Sequence, residues 1–293
     1  MSGPPHRVAI LVHREREEAA EVAAGIVDAL QAQGHDVVLP KEDASVVGRG
    51  GLGVAEGDLV GAGLALAVAI GGDGTMLRTV ALVADAGVPV LGVNVGQLGY
   101  LTEVEPADAL AAIEEVLAGG GGIEERMRIK VSVEAAGGGG PDLGPLPIAL
   151  NEAVLEKTPM GHTVRIAVLF DGDFFTTYAT DGLIVASPTG STAYSFSARG
   201  PILDPDLRAL VLTPVSPHML FDRSMVLSAD LEVRLEVVGH RPATLSLDGR
   251  NVGELHEGDA LICTASPVAA RIVTLRPRDF HRILKAKFGL ADR

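Results

Sequence analysis

The feature that most restricts the fold of this chain is an apolar run that empties into glycine. Leu64 to Ile70 reads as a buried strand, Gly71-Gly72-Asp73-Gly74-Thr75 follows at once, and Met76 to Ala86 reads as a helix. A buried strand that passes through a tight turn into a helix belongs to a parallel sheet flanked by helices. The neighbouring chain repeats the alternation. Arg7 to Val12 is a compact apolar strand, and Glu15 to Gln33 places Ala19, Val22, Ala23, Ile26, Val27 and Leu30 at helical spacing before Gly34. Asp36 to Leu39 and Val88 to Val93 read as further strands, and Pro106 to Leu117 as an amphipathic helix. Between them, Lys41 to Gly63 has weak patterning and reads as glycine-rich loop. In such sheets ligands bind at the carboxyl ends of the strands, where Gly71 to Thr75 falls.

The glycine run Gly119 to Gly122 marks a change of pattern. Beyond it, Met127 to Val133, Ala149 to Lys157, Val164 to Phe170, Phe174 to Tyr178 and Leu183 to Ala186 read as strands, with Asp171-Gly172 as a hairpin turn. Val211 to Pro214, Leu231 to Val238, Thr244 to Leu247, Leu261 to Thr264 and Arg271 to Leu275 continue the theme, Gly137 to Gly140 reads as a surface loop, and Asp279 to Lys287 as a helix. The expected architecture is an α/β domain over residues 1–123 and a β-rich, sandwich-like domain over 124–275. A helical tail, 276–293, is expected to return to the first domain. A chain of 293 residues is long enough for two cores.

Composition excludes several classes of function. A net charge of −14 argues against nonspecific binding to nucleic acid or to an anionic membrane surface. With one cysteine, Cys263, neither an intrachain disulfide nor a cysteine zinc cluster can form. The start lacks the apolar core of a signal peptide, and the longest apolar run falls short of the ~20 residues that span a bilayer, so a cytoplasmic location is expected. No Gly-Lys-Ser/Thr triplet, no Gly-x-Gly-x-x-Gly after a strand, no His-x-x-x-His and no Gly-x-Ser-x-Gly is present. P-loop, ordinary dinucleotide-fold, zinc-hydrolase and serine-hydrolase chemistries therefore have no anchor.

Four blocks remain. In Gly71-Gly72-Asp73-Gly74-Thr75 the glycines let the backbone expose its N–H groups, and the helix N-terminus adds partial positive charge, which together suit a phosphate. A carboxylate there repels the ligand unless a metal or a proton transfer involves it. Asn94-Val95-Gly96-Gln97-Leu98-Gly99-Tyr100 follows the next strand and is either an ordinary loop or a second approach to the same ligand. Asn151-Glu152 pairs an amide with a carboxylate, which suits the two hydroxyls of a ribose, although an edge-strand polar pair looks the same. Thr180-Asp181-Gly182, followed after an apolar strand by Pro188-Thr189-Gly190-Ser191-Thr192-Ala193-Tyr194-Ser195-Phe196-Ser197, is either a capped helix start or a nucleotide site in which Tyr194 stacks.

Together these blocks resemble the NAD kinase family, over most of the chain from Gly71 to Asp248-Gly249 and in the family's order. The glycine element alone is shared with phosphofructokinases and with diacylglycerol and sphingosine kinases; the two later blocks are particular to NAD kinases. The resemblance implies phosphorylation of the 2′-hydroxyl of the adenosine ribose of NAD by ATP or polyphosphate, with Asp73 as proton acceptor. It implies NAD contacts from Asp73, Gly74, Arg78, Asn151, Glu152, His162, Asp181, Thr192, Ala193, Tyr194, Ser195, Phe196 and Ser197, with Gly71, Gly72, Gly74 and Thr75 as the phosphate loop. It also implies a divalent ion, magnesium or manganese, held by the donor phosphates without protein ligands. NAD and ATP would be the partners of a homo-oligomer, a tetramer or dimer. Tyr100 stands where relatives usually have Phe, Arg199 where Gly is common and Ser216 where Cys is frequent. A lipid kinase sharing the glycine motif and a nucleotide sensor without catalysis are the competing readings.

Overall fold

The computed structural model describes residues 4–61, 63–97, 99–136, 143, 146–158, 162–276 and 279–290. In chain order its elements are β1 (Arg7–Val12), α1 (Glu17–Ala32), β2 (Asp36–Pro40), α2 (Lys41–Val46), β3 (Gly53–Val54), β4 (Leu64–Gly71), α3 (Asp73–Val83), β5 (Val90–Asn94), α4 (Ala109–Leu117) and β6 (Gly122–Arg126). There follow β7 (Ile129–Glu134), β8 (Glu152–Lys157), β9 (Val164–Phe170), β10 (Asp173–Thr180), β11 (Gly182–Ala186), α5 (Tyr194–Ser197), β12 (Ala209–Val215) and β13 (Met225–Ser228). The last are β14 (Val233–Val237), β15 (Ala243–Leu247), β16 (Arg250–Leu255), β17 (Ala260–Ala265), β18 (Ala270–Thr274) and α6 (Phe280–Phe288). By contact the chain divides into two compact units, residues 1–125 with 270–293, and residues 126–269.

The first unit is built on one sheet in the order β3-β2-β1-β4-β5-β18-β6. Its inner pairs, β2 with β1, β1 with β4, β4 with β5 and β5 with β18, are parallel, as a strand–helix alternation requires. The inner strands are apolar on both faces because helices cover both: Val8 to Val12 and Leu66 to Ile70 are all buried. Ala19, Ala23, Ile26, Val27 and Leu30 of α1 pack on one face. On α3 the buried residues are Met76, Thr79, Val80 and Val83 together with Thr75.

The second unit holds two antiparallel sheets, β10-β9-β14-β17-β7 and β13-β12-β11-β8-β15-β16. Leu155, Leu183, Val185 and Leu245 from the second sheet share one core with Ile166, Val168, Leu235 and Leu261 from the first, so the sheets pack face to face. Strands β14 and β15 bury every second residue, the alternation of a sheet with one covered face, whereas β11 is buried throughout. An α/β unit with a mostly parallel sheet, a β-rich unit and a C-terminal helix agree with the fold class read from the sequence.

Local differences have physical causes. The stretch Lys41 to Gly63, read as loop, contains α2, β3 and two single 3-10 turns. Its helix is one and a half turns long and buries a charged residue, Asp43, so no apolar periodicity announces it. Strands β13 and β16 escape the sequence reading because they are sheet edges with largely exposed faces. The segment Arg271 to Leu275, grouped by sequence with the β-rich half, supplies β18, which pairs with β5 in the first sheet. The helix expected from Met76 begins three residues earlier, at Asp73, and the apolar run before Glu152 becomes a strand only from Glu152. The loop Gly137 to Gly140 lies outside the described residues.

One packing point limits the first unit tightly. A Cβ placed on Gly92 in β5 would come within 2.9 Å of Met76 Sδ and 3.0 Å of the Thr102 backbone. The β-sheet, α3 and the segment after β5 therefore meet with no spare volume. Gly92→Ala is expected to lower stability by about 1–3 kcal/mol, a fall in Tm of several degrees that a thermal melt will read.

Candidate active site

The carboxyl end of β4 is tied on both sides. The backbone N–H of His13, just past β1, donates to the Ile70 carbonyl at 2.9 Å, and the N–H of Val95, just past β5, donates to the Gly71 carbonyl at 3.0 Å. A Cβ at Gly71 would press on His13 Cβ and on Thr75, so that glycine is demanded by packing. Gly72 and Gly74 are different. A Cβ on either would meet nothing within 4 Å, and neither has a positive φ. Gly72 is the N-cap of α3 and no side chain caps the helix. The first N–H groups of α3 thus lack the partners that a helix interior would give, and bare backbone faces outward beside the positive end of the helix dipole. That is a fit for an anionic group approaching closely.

Asp73 is the first residue of α3, and its carboxylate is held from the neighbouring loop. The N–H of Tyr100 donates to Oδ2 and the N–H of Leu101 to Oδ1, both at 2.9 Å. A Cβ at Gly99 would collide with Asp73 Oδ1 and with Thr102 Oγ1, so glycine is the residue that lets the loop close over the carboxylate. Thr102 Oγ1 donates in turn to Asn94 Oδ1 at 3.1 Å, anchoring the loop to the end of β5. Lys287 of α6 places its Nζ 4.4 Å from the centre of the Tyr100 ring. The second block read from sequence thus converges on Asp73; Leu98 within it is outside the described residues.

Arg78, expected to contact phosphate, has its guanidinium turned elsewhere. It forms a bidentate pair with Asp43, Nη1 to Oδ1 at 2.8 Å and Nη2 to Oδ2 at 2.6 Å, and Nη2 also donates to the Val12 carbonyl at 2.7 Å. Asp43 is fully buried and accepts as well from the Val12 N–H at 2.9 Å and from Arg14 Nε at 2.8 Å. Arg14 continues to Glu42 and Glu56, and the Arg16 guanidinium donates to the Val95 carbonyl. Sequence reasoning missed this network. Its only signal was the cluster His13-Arg14-Glu15-Arg16 at the carboxyl end of a buried strand, the same sheet edge as the glycine turn.

In the second unit the organiser is Asp248, at the tip of the β15–β16 hairpin. Asp248 and Gly249 have φ of 48° and 76°, the left-handed pair of a two-residue hairpin. The Asp248 carboxylate accepts the backbone N–H groups of Leu150 at 2.8 Å, Asn151 at 2.7 Å and Glu152 at 3.1 Å. Burial pushes the Asp248 carboxyl up, and those three N–H donors and the charge of Arg128 hold it back. Glu152 is almost fully buried, and burial, then the charge of Asp248, push its carboxyl up to about 8, against a hydrogen bond from the Tyr194 backbone. Its Oε2 has no hydrogen-bond partner among the described residues. A carboxyl that is protonated at neutral pH both donates and accepts, which matches a ribose hydroxyl.

The block after β11 wraps this pair. The Ser187 N–H donates to the Asn151 carbonyl at 2.8 Å and Ser187 Oγ to the Leu150 carbonyl at 2.5 Å. A Cβ on Gly190 would overlap the Asn151 backbone. Ser195 Oγ pairs with Thr213 Oγ1 at 2.9 Å in a buried position, and Thr192 Oγ1 donates to the Thr189 carbonyl at 3.1 Å, so these hydroxyls hold the loop. Ala193 is half-buried, while Tyr194, Phe196 and Ser197 are exposed. Burial, then the charges of Glu156, Asp181 and Glu152, push the Tyr194 phenol up. Asp181 also pairs with Lys157 at 2.8 Å. His162 is exposed, two residues before β9, and no contact joins it to this cluster.

Comparison with known proteins gives a consistent result. A family model described as the ATP-NAD kinase N-terminal domain matches residues 56–121, and one described as the ATP-NAD kinase C-terminal domain matches residues 150–275. An NAD kinase of Moorella thermoacetica is 37% identical over 285 residues, 96% of this chain and 88% of that protein. An NAD kinase of Heliobacterium modesticaldum is 44% identical over 225 residues, 76% of this chain and 78% of that protein. Among solved structures, yeast NADH kinase complexed with NADH shares the fold with a TM-score of 0.87 at 23% identity, over 99% of this chain and 89% of that one. An Archaeoglobus fulgidus NAD kinase in complex with ATP has a TM-score of 0.73 at 24% identity, over 98% and 100%.

Two consequences are testable on stability alone. Removing Asp43 leaves Arg14 and Arg78 without their shared anion, so Asp43→Ala is expected to cost about 3–5 kcal/mol, read by urea denaturation. Glu152 carries a folded-state carboxyl raised from 4.5 to about 8. The stability it contributes is therefore present below about 4.5 and is lost as pH rises through about 8. Glu152→Gln removes that loss, so its Tm advantage over the unmodified protein should widen from pH 5 to pH 8.5 and then level off.

Proposed function

The chain belongs to the NAD kinase family, and from that premise we propose that it transfers the terminal phosphoryl group of ATP to the 2′-hydroxyl of the adenosine ribose of NAD, with Asp73 as the proton acceptor. The observation that carries the assignment of Asp73 is its setting. It stands between two glycines whose faces are open, at an uncapped helix N-terminus, with each carboxylate oxygen already fixed by one backbone N–H. Each oxygen keeps a second lone pair for an incoming hydroxyl. Phosphoryl transfer asks a protein mainly for positioning and charge stabilisation, and this arrangement supplies both.

In the proposed step the 2′-oxygen attacks the terminal phosphorus, its proton passes to Asp73, the bond to the bridging oxygen breaks, and ADP leaves with NADP as product. Gly72, Gly74 and the N–H groups opening α3 receive phosphate oxygens, and Thr75 and Gly71 keep the turn in shape. Asn151 and Glu152 hold ribose hydroxyls, and Tyr194 with Phe196 and Ser197 offers surface to the nucleoside ends, near Asp181, Thr192, Ala193 and Ser195. Arg78, committed to Asp43, acts by fixing the start of α3 against β1, with any phosphate contact left to a donor not used in that pair; His162 is kept as a peripheral NAD contact. Among the described residues no group of three or more His, Cys, Asp or Glu is placed to hold a metal ion. A divalent ion, magnesium or manganese, would be carried by the donor phosphates beside Asp73, the carboxylate of the glycine turn, and would neutralise charge on the transferring group. Polyphosphate in place of ATP, a homotetrameric or dimeric assembly and a cytoplasmic location complete the proposal. No helix among the described residues is long and apolar enough to cross a membrane.

Asp73→Asn keeps the hydrogen-bonding outline and removes the base. With NAD, ATP and magnesium, kcat is expected to fall by about 10²–10⁴-fold with the fold intact by circular dichroism. Turnover within a few-fold of the unmodified protein would remove Asp73 from the role.

A further inference from the structure

Among the described residues four that are not glycine have positive φ: Asp171, Arg199, Ser216 and Asp248. Two are explained by local geometry, since Asp171 and Asp248 each precede a glycine at the tip of a two-residue hairpin. The other two line one and the same cavity. Arg199, with φ 68°, and Ser216, with φ 46°, face a hollow of about 410 Å³ that Tyr194, Ser197, Asp222 and Arg223 also line. Backbone strain at non-glycine residues gathers at functional sites, where something other than the fold keeps the side chain. Arg199 sits where α5 ends, its N–H donating to the Phe196 carbonyl at 2.9 Å and the N–H of Gly200 to the Ser195 carbonyl at 2.7 Å. That is a helix-ending turn for which glycine is the unstrained residue.

The charge of the cavity is equally specific. Arg199 is exposed, and its guanidinium makes no hydrogen bond or ion pair with any described residue. Arg223 is paired with Asp222 at 3.4 Å, and both side chains are largely exposed. The residues lining the hollow thus include two arginines and one aspartate, in a chain whose net charge is −14, while Glu156 and Asp181 act on the Tyr194 end of its wall. Tyr194 and Ser197, on its wall, are the residues assigned above to the dinucleotide.

We propose that Arg199 is a specificity-determining residue: its free guanidinium, held in the left-handed conformation at the mouth of this cavity, binds a phosphate of the dinucleotide's pyrophosphate. This deepens the kinase reading and rests on it. A planar donor pair suits a phosphate oxygen pair, and an uncommitted cation at a strained position is what such a contact would preserve. Stability and binding then oppose each other at one residue, which makes the test double-sided.

The experiment compares Arg199→Gly and Arg199→Lys with the unmodified protein. Glycine should relieve the backbone, raising Tm by about 2–4 °C. In calorimetry its affinity for NAD and for NADH should fall in parallel by about tenfold, because both carry the pyrophosphate, while affinity for uncharged adenosine stays the same. Lysine, which keeps the charge and loses the planar donor pair, should bind NAD with an affinity between those of Arg199→Gly and the unmodified protein, without the gain in Tm. In turnover assays the loss in Arg199→Gly should appear in KM for NAD with kcat of the same order. Unchanged NAD affinity, an equal loss for adenosine, or a change for only one redox form would overturn the assignment, the last by putting the guanidinium on the nicotinamide ring. Since affinity is read without turnover, an unmodified protein that binds but never phosphorylates NAD would sink the kinase reading and leave the outcome for Arg199 legible.

Discussion

A carboxylate opens α3 at an uncapped helix start that suits an anion, and much of the surrounding structure follows from that placement. The phosphate of the proposed reaction would be drawn to the uncapped N–H groups at the helix start, yet the first residue of the same helix is a carboxylate. Repulsion between them is limited by direction. The Asp73 side chain is pulled toward the loop after β5, where the N–H groups of Tyr100 and Leu101 fix both oxygens, and away from the open faces of Gly72 and Gly74. Gly99 is the residue that lets that loop approach, and Asn94, Thr102 and Lys287 hold it in place. Behind the helix, Arg78 is tied through Asp43 to the end of β1. The glycine turn is thus a rigid seat whose charges are balanced before any ligand arrives.

The second unit solves a different problem, how to bury carboxyl groups at a recognition surface. Asp248 spends its lone pairs on three consecutive backbone N–H groups, which fixes the path of Leu150 to Glu152. Glu152 is left with one oxygen short of a partner among the described residues, in surroundings that favour its neutral form. Leaving such a group unsatisfied costs stability in the free protein and makes a hydroxyl-bearing ligand welcome. Arg199 differs: its backbone is strained, and its exposed guanidinium, which has no partner among the described residues, is satisfied by water.

What was legible in the sequence follows from burial. β4, β5, β8, β9 and β11 are long apolar runs because they are covered on one or both faces, and they read directly. The glycine turn, Asn151-Glu152 and the Thr189 to Ser197 block were visible as residue types in a family's order. The ion pair of Arg78 was not, because its partner lies 35 residues away in a helix too short and too polar to show a period. Nor was the division of labour among the hydroxyls of the last block: Ser195 and Ser191 are buried and structural, while Ser197, of the same type, is exposed. Asp248 figured in the sequence only as the end of the family resemblance, and only the fold reveals that its hairpin turn clamps a strand start about a hundred residues earlier.

The order of strands in the first sheet also sets a schedule for synthesis. β18 lies between β5 and β6 in that sheet, although both are made long before it. While β7 to β17 are being translated, only the start of this edge, at Val90 where Ile272 will pair, has no strand beside it, because the segment after β5 already hydrogen-bonds Gly92 and Asn94 through Glu103 and Val104. An apolar strand with a bare row of N–H and C=O groups invites pairing with another chain. The nascent protein therefore passes through an interval, ended when Ala270 to Thr274 emerges, in which its first sheet is nearly complete and the Val90 end of β5 is uncovered.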